Sequence, residues 1–385
     1  MDLANSLPTE NPSSLSSSFL YTYSKIRYNS FSIQEYLTMY LKEKVQRMTL
    51  DPPVDTRIEN VGLDAAGLVA LADIGTVQQR TVLTGTASFL DVFVLVPGLH
   101  LQQKAPSLNG GEYPACAALT SGYVFRVENP ATVFYLQRVG RTGKLTSVEV
   151  EMVKEPTTWY GALFLQLLPG QEISILPIIA YLMAVVWGLG VIILLTLTGD
   201  WWGLTMCGSL MAARLINVLI IKHRSRLRWK GADEGEERGD LLILLSQDRW
   251  VRMKGYVNDL KAVTSGQWLR RENRWESGFT AVATMIVYLV AALAGNVEQF
   301  GKILLLCLFI GSAGLLALAN TTTRHFHMHD RIIKRAGRRK KYVRRRDLAD
   351  ELIKETGRDD WAIGMGMITI DQDTKSFRGG AAVIT

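Results

Sequence analysis

The sequence contains few of the residues that build disulfide-stabilised or metal-centred proteins. Of its 385 residues only three are cysteines, Cys116, Cys207 and Cys307, and they form neither a CxxC pair nor a zinc-binding spacing. Small secreted domains that depend on disulfides are much richer in cysteine. This scarcity excludes a disulfide scaffold and is typical of soluble parts that face a reducing compartment.

The motifs of common enzyme classes are also missing. The sequence has no phosphate-binding loop, no GxSxG or HExxH segment, no paired catalytic carboxylates and no dinucleotide fingerprint. Cys116 has no evident base partner along the chain. No set of residues therefore argues for an enzyme.

The first residues lack the pattern of a cleavable signal peptide. Residues 1–19 are polar and Ser-rich, with neither a basic start nor an apolar core. The first apolar block long enough to insert into a membrane begins near Ile175. We therefore expect that block to act as an internal signal anchor.

Four long blocks hold almost no charge. A helix needs about 20 apolar residues to cross the hydrocarbon core of a bilayer, which is about 30 Å thick. The blocks that meet this requirement lie at residues 175–198, 201–221, 278–294 and 300–320, the third being the shortest. We predict an integral membrane α-helical protein with four transmembrane helices. Core helices of a soluble protein, or two or three crossings, are the alternatives.

Short connections and flanking charges predict how these helices are arranged. Gly199 and Asp200 join the first two blocks and residues 295–299 join the last two, so each pair forms a tight hairpin. Lys and Arg follow the second block, precede the third and follow the fourth, whereas the hairpin tips carry few charges. Positively charged loops stay in the cytosol. An even number of crossings then predicts cytosolic N- and C-termini, in a membrane that the sequence does not identify.

The remaining chain divides by composition and periodicity. We predict a disordered segment (1–30), an amphipathic helix (31–50), a β-rich soluble domain (57–156), an interfacial segment (157–174), a transmembrane hairpin (175–221), a small cytosolic α/β insert (222–277), a second hairpin (278–320), a basic juxtamembrane segment (321–346) and a C-terminal tail (347–385). The amphipathic helix either packs on its own domain or lies on the membrane surface.

The predicted β-rich domain rests on local patterns. Residues 148–152 alternate between apolar and acidic side chains, and strands are also predicted at 91–96, 122–127 and 132–139. Two further blocks, 63–74 and 89–101, are apolar but too short to cross a membrane and are interrupted by aspartates.

Two long segments carry a family resemblance. They are RGDLLILLSQDRWVRMKGYVNDLKAVTSGQWL (238–269) and LIKETGRDDWAIGMGMI (352–368). They resemble an uncharacterised family of predicted multi-pass membrane proteins of filamentous fungi, and the resemblance covers about residues 210–368. It implies a multi-pass architecture and carries no activity, ligand or site.

Arg214 is the most informative charge within the four blocks. It lies eight residues before Lys222, about 12 Å inside the cytosolic end of a helix at 1.5 Å per residue. A charge at the bilayer centre costs about 2.5–3.5 kcal/mol on insertion scales, and no Asp or Glu occurs in the blocks to pair with it. Either Arg214 snorkels to the headgroups, or it faces inward with Asn217 and binds a lipid phosphate or an anionic substrate.

Two clusters near the last block are further candidates. His325, His327 and His329 form an HxHxH pattern that is either a zinc site or a set of interfacial histidines. The run 331–346 holds ten Lys/Arg and no acid. Beside membrane helices such a run favours anionic lipids over nucleic acid and also determines topology. Its candidate lipid-binding residues are Arg338, Arg339, Lys340, Lys341 and Arg344.

Three functional hypotheses follow. The first is a non-enzymatic membrane protein that acts as scaffold, sensor or adaptor, because most of the chain lies outside the crossings. The second is an oligomeric transporter or channel for an anionic solute or lipid, with Arg214 in its path. The third is a membrane enzyme acting on lipid, for which the histidines are the only lead. No cofactor is predicted beyond the zinc alternative.

Overall fold

Between residues 66 and 153, short helices and 3-10 segments come first, and short strands with one further helix follow. The computed structural model describes residues 66–153, 175–226 and 232–368, so the predictions for 1–30, 31–50 and 157–174 lie outside the described residues. The first range contains α1 (Ala66–Leu71), α2 (Thr76–Thr84), 3-10 segments at Phe89–Phe93 and Leu99–Asn109, β1 (Ala115–Ala118), β2 (Val124–Arg126), α3 (Pro130–Val139) and β3 (Lys144–Met152).

Two predicted strands in this range are wrong, and the reason is local. Residues 132–139 form part of α3, and residues 91–96 begin as a 3-10 turn. The side chain of Asn129 accepts hydrogen bonds from the backbone N–H groups of Ala131 and Thr132, and Pro130 occupies the first helical position. An Asn cap followed by Pro is a strong helix start, and it prevails over the β-branched residues that follow. The strand predicted at 148–152 is confirmed as part of β3.

Four helices are long and apolar enough to span a membrane, as the sequence predicts. They are α4 (Ile175–Thr198), α5 (Trp201–Arg224), α7 (Arg274–Leu293, continued by a 3-10 turn to Asn296) and α8 (Gln299–Thr322). The helix at the shortest predicted block, 278–294, therefore begins four residues earlier than the block, because the side chain of Asn273 caps the start of α7. The carboxylate of Asp200 likewise accepts the backbone N–H of Gly203 at the start of α5.

The chain between and after the two hairpins supplies the remaining elements. These are β4 (Arg238–Leu245), β5 (Arg249–Tyr256), α6 (Val257–Thr264), β6 (Phe326–Met328), β7 (Arg331–Lys341), α9 (Arg345–Thr356) and α10 (Asp360–Gly364). The basic run is therefore a strand for most of its length, followed by a helix.

One seven-stranded sheet unites strands that precede the first long helix, lie between the two hairpins and follow the last long helix. Its order is β2-β1-β4-β5-β3-β7-β6. The β3–β5 pair is parallel and the other neighbours are antiparallel. The sequence predicts a β-rich domain and a separate insert, but β4 and β5 lie inside the same sheet as β1 and β3. Local patterns identify strands and carry no information on which distant strands pair.

The two faces of this sheet are covered differently. On one face, a core that includes Trp268 and Tyr135 also takes in Val218 and Ile221 from the end of α5. On the other face, α9 and α10 pack over the sheet around Trp361. The first face therefore connects the sheet directly to the long helices.

Candidate functional site

The apolar residues of the block 89–101 pack among the long helices. Leu95 and Leu99 share a core with residues of all four long helices. Val94 and Val96 are fully buried against α4 and α8. We call residues 66–109, from α1 to the end of the second 3-10 segment, the inserted segment. Two apolar blocks that are too short to cross thus serve as packing partners of the helices that are long enough.

Glycines permit the closest approaches of the inserted segment. A Cβ on Gly188, in the middle of α4, would overlap with the carbonyl oxygen of Phe93. A Cβ on Gly67 would overlap with the carbonyl oxygen of Ala291, near the end of α7. Only a residue without a Cβ allows two backbones to approach so closely. The inserted segment is therefore in backbone contact with both hairpins.

Arg214 faces inward and is only 1% exposed. Its Nη1 donates to Oε1 of Gln102 at 2.8 Å, and its Nε donates to the carbonyl oxygen of Asp91 at 3.3 Å. Both acceptors belong to the inserted segment. Arg214 therefore has the inward-facing orientation, one of the two that the sequence allows. Its guanidinium binds polar groups of the inserted segment.

Asp91 provides the carboxylate that the four apolar blocks lack. Its Oδ2 accepts the backbone N–H of Ser88 at 2.8 Å, and its Oδ1 accepts the hydroxyl of Tyr181, on α4, at 2.6 Å. The carboxylate also attracts the guanidiniums of Arg214 and Arg80. A buried carboxylate needs such partners, because an isolated charge in an apolar interior is strongly disfavoured.

Arg80 brings a second buried guanidinium to the same place. It is 4% exposed, and its Cζ lies 4.7 Å from the centre of the Tyr181 ring, a cation–π contact. The hydroxyl of Thr81, the next residue, accepts a hydrogen bond from Gln102. Two guanidiniums and one carboxylate therefore meet here, so the described residues of this cluster carry one positive charge in excess.

Asn217 continues the polar contacts along α5. Gln103 donates to its backbone oxygen at 3.3 Å and to its side-chain oxygen at 3.2 Å. Arg224 in turn donates to Gln103 at 2.7 Å and to Glu272 at 2.9 Å. Arg214, Asn217 and Arg224 thus lie on one side of α5, which the inserted segment covers. The Nδ2 of Asn217 is buried without a partner among the described residues.

The three histidines do not form one ligand set. His327 is buried on β6, and its Nε2 has no hydrogen-bond partner among the described residues. His329 lies in the following turn, where its ring contacts the carbonyl oxygen of Gln267. Burial, together with His325 and Arg80 nearby, lowers the pKa of His327 to about 4. Within the residues that the structure describes, no three His, Cys, Asp or Glu side chains lie close enough to hold a metal ion. Zinc binding stays a prediction.

The basic run is divided by its ion pairs. Five of its cations pair with carboxylates, namely Arg331 with Asp259, Lys334 with Glu151, Lys340 with Glu351, Arg345 with Asp248 and Arg346 with Asp350. Of the predicted lipid-binding residues, Lys340 is therefore neutralised by a carboxylate. Arg338, Arg339, Lys341 and Arg344 have no ion pair within the described part of the chain, so they remain candidates for anionic lipids.

The chemistry of the buried groups is that of binding and packing. Cys116 is fully buried on β1, and burial raises the pKa of its thiol far above the usual range. A thiol must ionise to act as a nucleophile, so this cysteine stays unreactive. The guanidiniums of Arg80 and Arg214 supply positive charge and hydrogen-bond donors, which suit an anion rather than a bond-breaking step.

Sequence reasoning identified Arg214 and Asn217 but missed their partners. The cluster is completed by residues from the predicted β-rich soluble domain and, for the last of them, from the predicted first transmembrane hairpin: Arg80, Asp91, Gln102, Gln103 and Tyr181. Asp91 alone carries a usable signal, since a carboxylate inside an apolar run is costly unless it has a partner.

Comparison of the chain with protein-family models, with curated proteins and with solved structures finds no match. The resemblance to fungal membrane proteins therefore stays a prediction, and the geometry alone carries the functional argument.

Proposed function

We propose that the chain is an integral membrane protein without enzymatic activity, which holds its seven-stranded sheet at the cytosolic surface of a membrane as a scaffold or adaptor. One observation carries this proposal: the inserted segment packs among all four long helices and continues directly into β1 of the sheet. Val218 and Ile221 of α5 reach into the core of that sheet. A sheet held in this way cannot move independently of the helices, which suits a fixed platform for partners.

The charges favour the cytosolic side for the sheet. Lys222, Arg224 and Arg274 lie at the helix ends next to the sheet, and the basic strand β7 follows α8. The opposite hairpin ends carry only Asp200, Glu298 and Lys302 as acidic or basic residues. Such an asymmetry orients a multi-pass protein with its basic side in the cytosol. The inserted segment enters the helical bundle before α4 begins. The side of the membrane on which the N-terminus lies is therefore measured separately.

Membrane integration and orientation are tested together. We expect the full chain to resist extraction by alkaline carbonate and to dissolve only in detergent. Glycosylation sequons inserted at the two hairpin tips should be modified, whereas Asn320-Thr321-Thr322 should stay unmodified. A tag placed at the N-terminus should be accessible to an added antibody only after the membrane that encloses the cytosol is permeabilised. A chain that stays dissolved without detergent, or that carries sugar on Asn320, would refute the proposal.

A transporter for an anionic solute is the second candidate. The excess positive charge at Arg80 and Arg214 favours it, because buried cations attract anions. The hydrogen bonds from Arg214 to Gln102 and Asp91 weigh against it, since they engage the guanidinium within the protein. Anion flux into liposomes that is abolished by Arg214→Leu and retained by Arg224→Lys would favour this candidate over the scaffold.

A further inference from the structure

Four arginines form a cluster beside the end of α8, and we call it the basic patch: Arg138, Arg141, Arg335 and Arg339. Arg335 lies opposite Val148 across the β3–β7 pair, on the face of the sheet that α3 covers. Burial raises the pKa of Tyr135, and the neighbouring charges of Arg138 and Arg335 oppose that shift. The patch therefore combines residues from α3, from the turn after it and from β7, which are far apart in sequence.

Arg138 places the patch at the end of the helical bundle. Its Nη2 donates to the carbonyl oxygens of Asn320, Thr321 and Thr323, at 2.6, 2.9 and 3.1 Å. These carbonyls end α8, and a cation there is favoured by the helix dipole. The half-buried Arg138 is thereby held where α8, a candidate membrane span, leaves the bundle.

Arg339 has no carboxylate partner in the described part of the chain, and two other arginines lie near it. Its Nη2 donates to the carbonyl oxygen of Val139 at 3.1 Å, while its Nε is buried without a partner among the described residues. Burial lowers the pKa of Arg339, and the positive charges of Arg335 and Arg141 lower it further. None of these four arginines forms an ion pair with a described residue, although other cations of β7 do. Such a cluster is stabilised by an anion.

A cleft of about 460 Å³ opens beside this patch. It lies where α2, the second 3-10 segment, α3 and α8 meet, and it is lined by Gln79, Leu108, Phe134, Gln137, Arg138 and Thr321. Glu112, which lies next to the lining residue Gln137, accepts hydrogen bonds from Gln137 and from the backbone of Ser246. The cleft thus combines apolar side chains, amide groups and a guanidinium, and the carboxylate of Glu112 is already engaged.

We propose that the basic patch and this cleft bind the phosphate headgroup of an anionic membrane lipid. Guanidiniums donate paired hydrogen bonds to phosphate oxygens. The patch lies at the end of a candidate span and therefore at the depth of the headgroups. The inference rests on the proposed membrane location of the chain. It moves the predicted lipid-binding site from the run 338–344 to a site that α3 and β7 form together.

Titration of the full chain with phosphatidylinositol 4-phosphate tests the site. The lipid is added in detergent and bound lipid is measured by native mass spectrometry, with zwitterionic phosphatidylcholine, which has no net charge, as the reference. We expect at least tenfold tighter binding of the phosphorylated lipid. Arg335→Gln with Arg339→Gln should weaken it about 30-fold, the factor that about 1 kcal/mol for each of two basic residues gives. Arg141→Gln, in an exposed turn, should weaken it about fivefold.

The matched control removes two paired cations from the same strand. Lys334→Gln with Lys340→Gln changes the net charge equally but leaves the patch intact, so binding should change less than twofold. Equal losses in both double variants would overturn the site, as would equal affinity for phosphatidylcholine. Equally tight binding of soluble inositol 1,4-bisphosphate, the headgroup of this lipid, would overturn the assignment to a lipid. If one of these results is found while the chain still resists extraction by alkaline carbonate, the lipid site alone is refuted. If carbonate extracts the chain from the membrane, the proposed function itself is refuted.

Discussion

Gly188→Ala is the sharpest test of the packing between the inserted segment and the long helices. The added Cβ would overlap with the carbonyl oxygen of Phe93. Gly190 lies two residues further along the same helix, and a Cβ there meets no heavy atom within 4 Å. The two substitutions add the same methyl group to α4, so any difference between them reports contact with the inserted segment.

The expected difference follows from the contacts near Phe93. Forcing an extra methyl group into a packed site costs about 1–3 kcal/mol. Moving Phe93 also disturbs Asp91, whose hydrogen bonds to Tyr181 and Arg214 measure 2.6 and 3.3 Å, and each such bond contributes about 1 kcal/mol. At Gly190 the change from Gly to Ala favours the helix by up to about 1 kcal/mol. We expect Gly188→Ala to be about 3 kcal/mol less stable than Gly190→Ala.

Two measurements check this expectation. In detergent, the apparent melting temperature of Gly188→Ala should lie about 5 °C or more below that of Gly190→Ala, given about 2 °C per kcal/mol for a chain of this size. Hydrogen exchange of the backbone amides in Phe89–Phe93 should accelerate in the first variant and not in the second. If both variants melt together and exchange alike, the contact between α4 and the inserted segment is wrong.

Three further predictions concern charged groups. Arg214→Leu leaves Oε1 of Gln102 without its hydrogen bond, while the carbonyl oxygen of Asp91 keeps the backbone N–H of Val94 as a donor. The substitution should cost about 1–3 kcal/mol, visible as a lower melting temperature; an unchanged value would contradict the hydrogen bond to Gln102. Burial lowers the pKa of His327 to about 4, so the unfolded chain binds its proton first as the pH falls. Between about pH 6.5 and pH 4 the wild type should therefore lose about 3 kcal/mol more stability than His327→Asn, and parallel denaturant curves would contradict this. Arg252→Met breaks ion pairs of 2.6 and 2.7 Å and should cost about 3 kcal/mol, whereas Arg346→Met, at an exposed pair of 3.8 Å, should cost less than about 1 kcal/mol.

Hydropathy and spacing are sufficient to predict the four long helices. A run such as 175–198 without charge has few alternatives to a helix of membrane-spanning length. The strand β3 was equally readable, because its Val and Glu residues alternate. In both cases the signal lies within the element itself.

The rest depends on contacts between distant parts of the chain. Residues 132–139 have β-branched and aromatic side chains that favour a strand, and the helix start at Asn129 and Pro130 is the local signal that opposes them. No local pattern tells that Asp91 meets Tyr181 and Arg214, because those partners follow about 90 and 120 residues later. The sequence of the basic run likewise predicts a juxtamembrane segment, and only its pairing with β3 identifies it as a strand.

The position of the inserted segment along the chain has a consequence for biosynthesis. Residues 66–109 leave the ribosome before any of the four helices that surround them, and α8 is complete only about 230 residues after Phe93. At about 5–20 residues per second this interval lasts about 10–45 seconds. During this interval, the apolar stretch that contains Asp91 lacks the helices that enclose it, and β3 lacks its neighbouring strands β5 and β7. The inserted segment can therefore be enclosed only once α8 has been made, and the nascent chain needs protection from aggregation until then.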